Sequence, residues 1–186
     1  MGIGVKIEIR THNELLTDSC ASVTQAKDAM IAFLRNLTLD EDSIEASSNK
    51  IKVPLFDWAV EQGWKKNRLA DPGIPTGIST SIYKINLTLD LPIDDCSHHH
   101  RVFVHAFFDN RQAMGTNLLR LTIAKKYFER DSSQVAHLIA LVLDSNAKTD
   151  FGWDNSVGTL EEYEYAAHKT YEFAIASNIE FWAIRS

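Results

Sequence analysis

Residues Val135–Leu143 read Val-Ala-His-Leu-Ile-Ala-Leu-Val-Leu, a nearly continuous apolar run. Neither side of such a run favours water, so it predicts a central strand buried on both faces, in a sheet covered by helices. Four further segments read as strands: Val5–Arg10, Thr80–Leu91 (through Ile82, Ile85, Leu87 and Leu89), Arg101–Phe108 and Ile179–Ile184. Leu16, Cys20, Val23, Met30, Phe33, Leu34 and Leu37 recur at helical spacing and predict a long helix over about 12–36. Pro54 is placed to open a short helix, Pro54–Gln62, that Gly63 closes. A helix is expected over about 112–130, and Thr159-Leu160-Glu161-Glu162 is a capping box opening another toward Ser177. The order β, α, α, β, β, α, β, α, β has no repeat and no long linker. It predicts one domain over 1–186, of α/β (α+β) class, with a central sheet flanked by helices.

Composition removes several functions. Lys and Arg number 19 against 25 Asp and Glu, a net charge of −6, so no overall basic field holds a polyanion and any such surface must be local. No apolar run approaches the ~18 residues that span a bilayer. With no apolar leader at the start, the expected location is the cytoplasm, with Cys20 and Cys96 reduced. Gly-rich phosphate loops, Gly-x-Ser-x-Gly elbows and Cys-x-x-Cys pairs do not occur.

The residues that could carry chemistry are few. His98-His99-His100 lie in a polar connection, 92–100, beside Asp94 and Asp95; they read either as a solvated loop or as transition-metal ligands. His105 falls mid-strand between Val104 and Ala106, as a core histidine or as a functional group near Asp90, Asp94 and Asp95. Lys50, Lys52, Lys65, Lys66 and Arg68 flank the short helix, and Arg111, Arg120, Lys125, Lys126 and Arg130 fall on or before the next one. Such charges form either solvated faces or phosphate contacts.

Taken in order, Val5-Lys6-Ile7-Glu8-Ile9, Leu55-Phe56-Asp57, Glu61-Gln62-Gly63-Trp64-Lys65-Lys66-Asn67, Phe108-Asp109-Asn110 with Asn117 and Arg120, and the capped helix before Phe181–Ile184 form a pattern over nearly the whole chain. In that order the chain resembles the BglII/BstYI group of type II restriction endonucleases. The resemblance implies the restriction-endonuclease core, a mixed sheet flanked by helices. It also implies metal-dependent hydrolysis of phosphodiesters in double-stranded DNA, by a homodimer at a short palindrome. In that family Mg2+ is held by an Asp on one strand and a Glu on the next, with a Lys or Gln two residues beyond.

Carried over, the first carboxylate is Asp90, with Asp94 or Asp95 as alternatives; the Glu position falls on His105 and the Lys/Gln position on Phe107. Imidazole suits Mn2+ or Co2+ better than Mg2+, so these ions enter the expectation. The implied catalytic set is Asp90, His105 and Asn67, the last positioning phosphate; the implied metal set is Asp90, His105 and Asp95. Lys65, Lys66, Arg111, Arg120 and Lys125 are the implied DNA contacts. The alternatives are a DNA-binding protein of the same fold that has lost catalysis, or a reused fold in which His98–His100 bind metal.

Overall fold

The chain is described here by a computed structural model, which covers residues 3–11, 20–39, 47–74, 80, 83–91, 93, 97–108, 110–150, 153, 156–170 and 178–185. Its elements run β1 (Ile3–Gly4), β2 (Lys6–Thr11), α1 (Ala21–Arg35), β3 (Thr38–Leu39), α2 (Ser47–Glu61), β4 (Lys65–Leu69) and β5 (Lys84–Leu91). Then follow β6 (His99–Ala106), a 3-10 turn at Arg111–Ala113, α3 (Met114–Phe128), β7 (Gln134–Leu143), α4 (Ser145–Asp150), α5 (Leu160–Thr170) and β8 (Ile179–Arg185).

The apolar run becomes β7, inside a six-stranded mixed sheet ordered β2-β8-β7-β6-β5-β4. β7 pairs parallel with β6 and β8, and the outer pairs β2–β8, β5–β6 and β4–β5 are antiparallel. Successive side chains point to opposite faces. Val102, Val104, Ile139, Leu141 and Trp182 pack with Met30, Leu34, Ile51 and Leu55 of α1 and α2. Phe103, Phe107, Leu138, Ala140 and Phe181 pack with Leu118, Leu121 and Tyr163 of α3 and α5. Both crossovers, β6–α3–β7 and β7–α5–β8, thus cover the same face.

Several elements differ from expectation. The second helix starts at Ser47, and Pro54 lies inside it. Ile51, Leu55 and Ala59, all fully buried at four-residue spacing, hold the helix together through the proline. His99 and His100 belong to β6, because its parallel ladder with β7 begins at His99↔Gln134. The two-residue strands β1 and β3, which pair with each other, and the elements β4 and α4 lie outside the expected set. β4 is an edge strand of mostly exposed residues with no alternation to read, and α4 has only six residues. Asp144 opens α4 by accepting the Asn146 and Ala147 N–H groups, both at 2.9 Å. At α5 the capping box forms as read, with Thr159 N–H donating to Glu162 Oε2 at 2.9 Å. Cys20 is disulfide-bonded and not reduced; the other cysteine, Cys96, lies outside the described residues. Residues 12–19 and 171–177, where the first and last helices were expected to extend, also lie outside them.

Candidate functional site

The site forms where the β5–β6 hairpin opens. Leu87 pairs with Val104, which brings Asn86 against His105; beyond it β5 pairs with β4, through Ile85↔Arg68 and Lys84↔Leu69. The Asn86 side chain bridges the parting strands, its Oδ1 accepting the Ala106 N–H at 2.9 Å. The Asn86 backbone N–H points at His105 Nδ1, 3.2 Å away. From α3, Arg120 places its guanidinium on His105 Nε2 and also donates to Asn117 Oδ1 at 3.1 Å. A neutral imidazole has one lone pair, and here two donors face its two nitrogens. His105 is buried, and that burial, with the charges of Arg120 and Lys52, holds its pKa well below the ordinary histidine value. It is a neutral ring whose lone pair is engaged.

Around it lies an open cleft of about 180 Å³, lined by Lys52 of α2, Asn67 of β4, Lys84 and Asn86 of β5, His105, and Arg120 of α3. Asn67 adopts a left-handed backbone, φ 53°, a conformation that asparagine tolerates better than most residues. The cleft therefore offers three cations, two amides and a neutral imidazole, and no carboxylate among its described residues.

The structure separates the expected metal ligands. Asp90 pairs with Arg101, four residues along β6 from His105, or about 13 Å at ~3.3 Å per residue. It accepts from Arg101 Nε and from Lys65 Nζ, the latter at 3.1 Å. Partial burial pushes its carboxyl up, but Arg101 and Lys65 outweigh this and hold it below the usual range. Asp90 is an anchor for cations. Asp94, Asp95 and Asp109 lie outside the described residues. No group of three or more His, Cys, Asp or Glu that could hold an ion occurs among the described residues.

Mg2+ wants several oxygen donors, commonly carboxylates, which this cleft lacks; Mn2+ or Co2+ would need the lone pair that His105 already commits. The described residues of the cleft do not fit a divalent metal. His98–His100 form no ion-holding group among the described residues either, although the rings of His98 and His100 meet edge-on at 6.4 Å. His98 Nδ1 lies 3.0 Å from Ser97 Oγ, His99 packs edge-on against Phe128, and His100 Nδ1 meets His137 Nε2 at 2.9 Å.

Of the five cations expected to face DNA, four meet carboxylates: Lys65 with Asp90, Lys66 with Asp57 (2.9 Å), Arg111 with Glu162 (2.7 Å) and Lys125 with Glu129 (3.7 Å). Arg120 alone of that set lines the cleft. Lys84, Asn86 and Arg101 were not singled out beforehand. Lys84 and Asn86 alternate with Ile85 and Leu87, so a polar face on β5 was readable; that His105 and Arg120 meet it was not.

No protein-family model and no curated protein sequence matches the chain. Among solved structures, it is similar to restriction endonuclease BglII complexed with a DNA 16-mer, with a TM-score of 0.60 and 15% identity, over 96% of this chain and 75% of that one. That likeness concerns shape: this chain, with its mixed sheet and two helical layers, has the restriction-endonuclease fold.

Proposed function

We propose that this protein binds double-stranded DNA, gripping a backbone phosphate in the cleft of Lys52, Lys84 and Arg120. The single observation behind this reading is that cleft: cation-lined, free of described carboxylates, and placed where the β5–β6 hairpin parts. Three converging cations and two amides suit a phosphodiester, as they would any oxyanion. The structural neighbour BglII was solved with a DNA 16-mer, which supports DNA as the polymer. Metal-dependent hydrolysis finds no support among the described donors, which favours binding without cleavage as the reading. A homodimer, one chain per half of a palindromic duplex, completes the proposal.

Fluorescence anisotropy on a 16-base-pair duplex at two salt concentrations tests it. Binding should weaken with salt, and Arg120→Ala should flatten the log–log salt slope by about one unit. Sedimentation of the complex should give two chains per duplex. Absence of duplex binding would refute the reading. So would Mn2+-dependent nicking that His105→Ala abolishes, in which case the nuclease description replaces it.

A further inference from the structure

A second cleft, of about 370 Å³, adjoins the phosphate cleft and shares Asn67 with it. One wall is β4, with Arg68 exposed on the rim; the floor includes Thr88 and Arg101, and the other wall is Tyr127 and Phe128 of α3. Its size falls in the ~300–1,000 Å³ range of small-molecule sites. Arg101 gives it an unusual surface. The guanidinium lies over the Phe128 ring, 4.4 Å from the centroid, while its Nε is tied to Asp90. A planar cation is thereby held over an aromatic ring, and planar guanidinium groups stack on aromatic faces. Tyr127 adds a second ring, itself beneath Arg130 at 4.5 Å.

We propose that this second cleft takes an unstacked nucleobase, stacked on Arg101 and flanked by Tyr127, while that nucleotide's own phosphate occupies the cleft of Lys52, Lys84 and Arg120. The inference rests on the phosphate reading above and deepens it. The ligand class is a nucleotide taken out of its duplex, or one already unpaired. Both clefts meet at Asn67, so the sugar crosses there. A base in an intact duplex must first be unstacked, whereas an unpaired one is not charged that cost. Asp90 becomes a positioning residue, acting through Arg101.

Titration of the parent protein with inorganic phosphate, deoxyadenosine and deoxyadenosine monophosphate, followed by calorimetry and by amide chemical shifts, tests this directly. The monophosphate should bind at least about tenfold tighter than inorganic phosphate, the scale of one base–side-chain stack. Arg101→Ala should bring the monophosphate back to the affinity of inorganic phosphate, leaving phosphate binding within about twofold; Arg120→Ala should weaken both. Arg101→Ala also releases Asp90, so Tyr127→Ala serves as a second variant that leaves the ion pair in place, and its loss should be selective in the same sense. If phosphate binds and the base adds nothing, or if both variants bind the monophosphate as the parent does, the nucleobase inference falls alone. If neither phosphate nor the monophosphate binds, the phosphate cleft falls with it.

Discussion

Tyr163 is fully buried, its ring 4.8 Å from that of Phe107 and its hydroxyl accepting from Asn117 Nδ2 at 3.3 Å. Gly158 lies against that ring. A Cβ there would come within 2.9 Å of both Tyr163 Cε2 and Met114 Cε. The methionine terminus can swing aside, whereas the tyrosine ring is wedged. Gly158→Ala should therefore destabilise by about 1–3 kcal/mol, the usual cost of overpacking. The urea midpoint measures it, and in a Tyr163→Leu background the penalty should largely vanish. Asn117 also accepts from Arg120, so the same substitution should weaken phosphate binding. Part of this neighbourhood was legible in the sequence. An imidazole at position 105 between Val104 and Ala106 reads as buried, and it is. Its partners were not legible, because Asn86 and Arg120 reach it through strand pairing and helix packing, which no local pattern encodes. Phe107 shows the same limit. It stands where the resemblance expects Lys or Gln, and its burial beside His105 and Tyr163 makes it core.

At the scale of elements, α2 links stability to the cleft. Ile51, Leu55 and Ala59 form its buried stripe, and Lys52 rides next to Ile51 on the cleft side. Leu55→Ala should cost about 2–5 kcal/mol in urea denaturation, as large-to-small changes in a closed core do. Val60→Ala, on the exposed side of the same helix, should leave the midpoint nearly unchanged. β7 and β8 were readable because burial on both faces leaves an apolar run. The start of α2 was not, since Pro54 suggests an opening and only the packing of Ile51 against the sheet shows that the helix precedes it. β4 was invisible for the opposite reason: an exposed edge strand has no apolar rhythm.

For the molecule as a whole, acid sensitivity should come from histidines before carboxylates. Burial and neighbouring cations hold His105 well below its ordinary pKa, and burial, Lys27 and His100 hold His137 at about 3. Below pH ~6.5 the unfolded chain takes up protons that these folded groups refuse, so stability is full above that pH and declines as pH falls. Each histidine contributes at most about 1.4 kcal/mol per pH unit, continuing for His137 down to about pH 3. Asp90 and Glu162, whose carboxyls are held low, begin to withdraw their contributions only as pH falls through the ordinary carboxyl values, 3.8 and 4.5. Urea midpoints should thus fall steadily from pH 6.5 to 4.5, and His137→Leu should flatten the decline. A constant midpoint over that range would show that neither ring is held neutral.

The left-handed turn at Asn67 has one more effect, on assembly. β4 is the last strand of its sheet, and an exposed row of N–H and C=O groups normally invites another strand to add. Here Asn67, with φ 53°, interrupts the row midway between Lys66↔Leu87 and Arg68↔Ile85, and Lys65 and Lys66 on one side of it are tied to Asp90 and Asp57. Such an interruption disfavours extension of the sheet by a second copy across this border. The residue that breaks the edge's regularity, Asn67, is also the one that lines both clefts, so the guarded border and the ligand-facing border coincide.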